Sequence, residues 1–391
     1  MMSMNDNFLP FALPCIGEEE INEVVDTLRS GWLTTGPKTK RFEEDFAKFI
    51  GIPYALAVNS CTAGLHLALE AIGIKPGDKV VTTPYTFTAT AEVIRYLGAE
   101  PLFVDIEPDT FNINTHKLAA TLERVEGIKA ILLVHFGGQA CDMDNILALA
   151  KAHSLKIVED AAHALPTYYK GQKIGLFADI TAYSFYVTKT LATGEGGMIV
   201  TANPDYAERI RILRLHGISR DVFDRAYSEL PKWYYEVVAP GFKYNMTDIT
   251  AALGIHQLQK VNTFLQRRTE IAEQYTQGLA DLPLRTPYLH PDSSHAWHLY
   301  VIQLQLEDLI IDRNTFIERM SDAGIGTSVH FIPLHLQKYW RERYGFKPDD
   351  FPVALEVYQR AVSLPIYPSM SDADVTRVIR ITRQILKNTQ K

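Results

Sequence analysis

Residues 177–201, FADITAYSFYVTKTLATGEGGMIVT, set one lysine, Lys189, between two short apolar runs. Residues 180–185 read as a buried strand and 197–201 as another. Between them the chain is small, polar and glycine-rich, so backbone can approach a ligand closely. The only carboxylate near Lys189 in sequence is Glu195. An amine in such surroundings is partly desolvated, which lowers its pKa and makes it a usable nucleophile and base. A single loop lysine is usually a surface residue, so the reading depends on what the chain brings alongside it.

Three other stretches suit the same place. Asp160, in VEDAAHA, ends a strand; its carboxylate can hold a protonated ring nitrogen, and it equally suits a helix N-cap. Ser60-Cys61-Thr62-Ala63-Gly64 opens a helix with small residues, whose free N–H groups and dipole suit a phosphate, although simple capping explains them too. Phe87, in PYTFTAT, follows another strand end and can stack on a flat ring or pack in a core. No GxGxxG follows the first strand and no GxxxxGK[ST] occurs, which removes two common nucleotide fingerprints. One cofactor uses all of these features at once. Pyridoxal 5′-phosphate (PLP) needs a lysine for its aldehyde, a carboxylate under its pyridinium nitrogen, an aromatic over its face, and hydroxyls with helix N–H groups for its phosphate. Along the chain the order is phosphate loop, stacker, acid, lysine.

The elements that must position these residues form a repeating pattern. Helices are expected at 18–29 and from about 40, then strands and helices alternate. Strands are read at 54–58, 79–83, 101–104, 130–134 and 156–159, with helices from 61 to 71, 87 to 97 and 142 to 153 between them. Such alternation predicts an α/β fold: a mostly parallel sheet covered on both faces, with the ligand at the carboxyl ends of the strands. The polar features singled out above lie at those ends. A helix at 204–216, an aromatic-rich loop to about 244 and a long helix at 247–279 follow. After residue 291 the texture changes, with strands at 298–304 and 326–330 and helices at 313–323, 353–362 and 372–386. This divides the chain into a large α/β domain, 1–280, and a smaller C-terminal α+β domain, 281–391.

Composition narrows the function classes. The 391 residues are 47% hydrophobic and 22% charged, ordinary globular values with ample length for a large core. A net charge of −7 without any Lys/Arg run leaves no electrostatic footprint for nucleic acid. No apolar run approaches the roughly 18 residues of a membrane span, and MMSMNDNFLPF lacks the marks of a signal peptide. Three scattered cysteines, Cys15, Cys61 and Cys141, point to a reducing, cytoplasmic setting. They form no metal pairs. His330-x4-His335 is the nearest ligand spacing, and loop histidines by a polar pocket explain it better, so no metal is expected.

SGWLTTGP, NSCTAGLHLAL, TPYTFTAT, EDAAHA, SFYVTKTLATGEGG and GFKYNMTDITAALG together resemble the sugar aminotransferases grouped as DegT/DnrJ/EryC1/StrS, of aspartate-aminotransferase-like PLP fold type I. The resemblance covers essentially the whole chain. It implies that Lys189 carries the cofactor, Asp160 pairs with the pyridine nitrogen, His163 reaches the ring-oxygen side and Phe87 stacks on the ring. The Ser60 loop, with Cys61, Thr62 and Ser184, would bind the phosphate. The family is dimeric, and a Gly-x-Asn-x-Arg segment of the neighbour completes each site. Here Gly241-Phe242-Lys243-Tyr244-Asn245 puts Lys243 at the asparagine and Asn245 at the arginine; lysine can still serve a phosphate as a point charge. Trp32, Thr34, Thr35 and His330 are candidates for the substrate. FLPF, EDAAHA, AWHLY and HLQKYWRERYG look most like the branch that forms UDP-4-amino-4-deoxy-arabinose for lipopolysaccharide.

The implied activity moves an amino group from glutamate to C4 of a UDP-linked 4-keto sugar, a pentose favoured over a 6-deoxy hexose. C3 amination is the alternative within the family. A related 3-dehydratase has histidine in place of the lysine, so Lys189 argues against that chemistry. A non-enzymatic regulator on the same fold has no reason to keep lysine, acid, stacker and phosphate loop together.

Overall fold

The computed structural model describes residues 8–219, 231 and 233–391. Part of the expected aromatic loop, residues 220–230 and 232, lies outside the described residues, as do residues 1–7.

Seven strands form the main sheet: β1 (Tyr54–Val58), β2 (Lys79–Thr82), β3 (Glu100–Phe103), β4 (Ile128–Val134), β5 (Lys156–Asp160), β8 (Ile180–Ser184) and β9 (Gly197–Thr201). The short β6 (Tyr168–Tyr169) and β7 (Gln172–Lys173) lie between β5 and β8 in the chain and pair with β11 (Ser293–Ser294) in a small separate sheet. The main order is β1-β9-β8-β5-β4-β2-β3, and only β9 runs against its neighbours. The sequence explains this directly. β4 ends in AILLV and β9 reads GMIVT, runs buried from end to end, as a sheet covered on both faces requires. Helices Cys61–Ala71 and Ala89–Tyr96 bury their apolar sides on one face of it. Helix Pro37–Ile50 covers the other with Phe42, Phe46 and Ile50.

A second antiparallel sheet joins β10 (Leu284–Arg285), β12 (Tyr300–Leu304) and β13 (Ala361–Leu364) in the order β10-β12-β13. The 32-residue helix Asp248–Leu279 serves both cores. Ala251, Ile255, Leu258 and Val261 pack with Phe42 and Phe46 near the large sheet, whereas Ile271, Tyr275 and Leu279 pack with Tyr300, Ile302 and Leu304.

Two expectations for this part need correction. The strand expected at 326–330 is not a regular strand. Its backbone divides its hydrogen bonds, with Gly326 N donating to Leu9 O and Ser328 N to Ser363 O, so neither side builds a ladder. The helix expected at 353–362 runs Pro352–Arg360 and stops because Ala361–Leu364 becomes β13. That four-residue apolar run is buried throughout, and periodicity alone cannot separate such a run from helix.

Candidate active site

The lysine loop leaves β8 at Ser184, turns through a Lys189 N–H bond to Tyr186 O, and returns to β9. Lys189 Nζ lies 3.5 Å from Nε2 of His298. Burial pushes its pKa down to about 8, against the pull of Asp160. Asp160 ends β5 and is 6% exposed. Thr90 Oγ1 donates to its Oδ2 at 2.8 Å and the Ala162 N–H to its Oδ1 at 3.1 Å. Burial raises its pKa all the same, against these two hydrogen bonds and the charge of Lys189. Asp160 is therefore a dry carboxylate with no ion-pair contact among the described residues, suited to receive a cation.

His163 follows β5 by three residues. Its Nδ1 accepts the Gly137 N–H at 3.2 Å, so in the neutral ring Nε2 carries the proton and is a donor. Burial holds its pKa well below the usual histidine value. Its ring lies 4.4 Å from that of His298 and stacks on Phe331 at 6.0 Å. His330 donates to or accepts from Ser363 Oγ through Nδ1 at 2.8 Å, and burial lowers its pKa to about 4. His335 goes elsewhere, its Nε2 bonding to Pro348 O. Phe87 packs on Phe331 at 5.9 Å and keeps 59% of its surface open, so it is not a core residue.

The glycines of the GEGG run explain the neighbouring cradle. Gly197 pairs with Ser184 of β8 and Val58 of β1. A Cβ there would meet Cys61 N and Ser60 C at 2.8 Å, so only glycine lets β9 lie against the start of helix Cys61–Ala71. Ser60 caps that helix by accepting the Ala63 N–H at 3.1 Å. The first-turn N–H groups at Cys61 and Thr62 have no intrahelical acceptor, as at any helix start, and Ser184 stands at the end of β8 opposite Gly197, its Oγ accepting the Tyr186 N–H at 3.3 Å.

Lys243 and Asn245 lie beside this cradle in their own chain. The Lys243 side chain is exposed, while its carbonyl accepts from Asn59 Nδ2 at 3.2 Å. Asn245 is buried, bridges to Val58 and donates from Nδ2 to Thr35 Oγ1 at 2.7 Å. Thr35 Oγ1 also donates to Met246 O at 2.6 Å, Trp32 Nε1 donates to Thr35 O at 3.1 Å, and Thr34 O accepts the Asp248 N–H. Asp248, fully buried, takes the N–H groups of Gly36, Lys38 and Thr39. The early SGWLTTGP loop is thereby laced to the GFKYNMTD segment.

Thus Lys189, Asp160, His163 and His330 lie close to one another, Phe87 joins them through Phe331, and Gly197 sets the Ser60, Cys61 and Thr62 helix start against the end of β8 at Ser184. Trp32, Thr34, Thr35, Lys243 and Asn245 form a second layer beside the cradle. Sequence reasoning missed Thr90 and His298 as site residues. Both stand in the quoted motifs TPYTFTAT and AWHLY, which were the available signal. A buried lysine of lowered pKa, a buried carboxylate with no ion-pair contact among the described residues and a helix start that Gly197 lets the sheet approach closely fit PLP.

Fold and site thus define a PLP-dependent transferase of the aspartate-aminotransferase type. The chain belongs to the DegT/DnrJ/EryC1/StrS aminotransferase family, whose model matches residues 14–383. It is 51% identical over 389 residues, 99% of each chain, to the spore coat polysaccharide biosynthesis protein SpsC of Bacillus subtilis. Spr1654 of Streptococcus pneumoniae, provisionally named a sugar aminotransferase and solved in a PLP form, is 35% identical with a TM-score of 0.89, covering 97% of this chain and 99% of its own. PseC of Helicobacter pylori, an aminotransferase involved in the biosynthesis of pseudoaminic acid, is 28% identical with a TM-score of 0.89, covering 98% of this chain and 100% of its own. No helix among the described residues is long and apolar enough to cross a membrane.

Proposed function

We propose that the protein transfers an amino group from glutamate to C4 of a UDP-linked 4-keto sugar, with a 4-keto pentose favoured over a 4-keto-6-deoxy hexose. The observation that carries the chemistry is a buried Lys189 of lowered pKa close to the buried carboxylate of Asp160. The bound cofactor supplies an electron sink for the carbanion at the reacting carbon. Lys189 would hold the cofactor at rest, and its Nζ, once free, would be placed to take and return a proton. Asp160 would hold a positive charge on the cofactor, His163 would donate to it from Nε2, and Phe87 would pack on it. Ser60, Cys61, Thr62 and Ser184 would hold its phosphate.

The reading includes a homodimer in which Lys243 and Asn245 of one chain complete the neighbour's site. The exposed Lys243 side chain beside the cradle's outer layer supports it. Trp32, Thr34, Thr35 and His330 are assigned to the sugar and diphosphate. A keto sugar alone offers few groups to grip, whereas a diphosphate and base supply remote binding energy that orients the carbonyl. The preference for C4 and for UDP rests on the sequence motifs. The relation to SpsC, a polysaccharide biosynthesis protein, supports a role in making a surface-glycan sugar.

The test offers UDP-linked 3-keto and 4-keto sugars in parallel with glutamate and reads products by mass spectrometry. Amination at C4 is expected. Pentose and 6-deoxy hexose differ by a methyl group, worth about 10–200-fold in discrimination, so both are expected to react. Amination only at C3 would overturn the regiochemistry, and no amination of any sugar nucleotide would overturn the function.

A further inference from the structure

Three histidines, His163, His298 and His330, surround the amine of Lys189, and two are tied down at Nδ1 by Gly137 and Ser363. His298 is not. Its Nδ1 is buried without a hydrogen-bond partner, its Nε2 faces Lys189 Nζ at 3.5 Å, and the residue is 6% exposed. Backbone fixes it there. Ala296 N donates to Gly138 O at 2.8 Å and Leu299 N to Gly137 O at 3.1 Å, on either side of it. The buried guanidinium of Arg268 donates to Trp297 O at 2.9 Å and to Ile366 O at 2.8 Å. A buried imidazole with one nitrogen unpartnered is expensive, and the group that meets its other nitrogen is the site lysine.

We propose that His298 receives the Lys189 amine whenever that amine is not bonded to the cofactor, accepting a hydrogen bond at Nε2 and fixing where Nζ points. His298 is a positioning residue that acts through Lys189, and the inference rests on the reading of Lys189 as the cofactor lysine. The charged and titratable groups facing the pair are His163, His330 and Arg268 on the His298 side and Asp160 and Cys61 on the lysine side. Burial keeps all three histidines uncharged near neutral pH, so Nε2 is available as an acceptor.

The experiment loads the full-length protein with pyridoxamine 5′-phosphate, which leaves the lysine amine free. Acylation of Lys189 is then followed by peptide mass spectrometry from about pH 6 to 11. The wild-type midpoint is expected at about 8. His298→Phe keeps the pocket dry but takes the acceptor from the ammonium form, so the midpoint falls by about one unit. His298→Gln, whose amide reaches where Nε2 lies, restores it; His298→Asn, which ends near Nδ1, does not. An unchanged midpoint in His298→Phe, or Gln and Asn variants that behave alike, would overturn the proposal. If His298→Phe does not fold, the contrast between Gln and Asn decides. Wild-type protein that fails to retain pyridoxamine phosphate would instead overturn the cofactor reading, and this inference with it.

Discussion

Replacing Gly197 by alanine tests the cradle, and the structure sets its size. The added Cβ would sit 2.8 Å from Cys61 N, Ser60 C and Tyr183 O. All three are main-chain atoms, so no flexible side chain can swing aside. Relief requires β9 to move off β8 or the start of helix Cys61–Ala71 to move off β9. Overpacking of this kind costs about 1–3 kcal/mol. The displaced groups are also the N–H donors assigned to the phosphate, and about 1.4 kcal/mol lost there weakens binding tenfold. Denaturant unfolding of the cofactor-free variant should show a loss of about 1–3 kcal/mol, and spectral titration a PLP Kd raised at least about tenfold. Gly31→Ala is the control. Gly31 has φ of +73° and nothing within 4 Å of its would-be Cβ, so that variant should lose about 1 kcal/mol to backbone strain and keep wild-type affinity. Wild-type PLP affinity in Gly197→Ala would show that the helix start is not the phosphate anchor.

Asp160→Asn should keep the fold and lower turnover about a hundredfold or more, since an amide cannot hold a cation on the ring nitrogen; near-wild-type turnover would remove that role. Lys189 has a depressed pKa, so its amine becomes neutral as pH rises through about 8 rather than 10.5. The half-reaction starting from the pyridoxamine form should therefore speed up across that range and level off above it, and a flat single-turnover profile would count against Lys189 as the base. Lys243→Ala should weaken cofactor retention. Mixed with Lys189→Ala it should regain activity, because one site of each mixed dimer is then whole; a fully active monomer by sedimentation and assay would refute the shared site.

Much of the fold was legible because the strands of a sheet covered on both faces are largely continuous apolar runs, whichever way they run. β1 and β9 have the bounds that their sequence suggests, Tyr54–Val58 and Gly197–Thr201. The reactive residues were legible for a related reason: a sheet of this kind concentrates polar groups at its strand ends, and Asp160 and Ser184 stand there. What remained hidden depends on distant chain. His298 reaches Lys189 from 109 residues away, and Thr90 reaches Asp160 from 70. Neither pairing leaves a local pattern, because each is created by where a loop crosses another element. The 326–330 segment failed similarly: its composition suits a strand, but its partners, Leu9 and Ser363, come from opposite ends of the chain.

Lys189 is the proposed attachment point of the cofactor. Reducing the PLP-loaded protein with borohydride, digesting it and mapping the modified peptide by mass spectrometry tests this directly. A single phosphopyridoxyl group on Lys189, absent from Lys189→Ala, is the predicted result. A reduced adduct on any other lysine, or one that persists in Lys189→Ala, would contradict it.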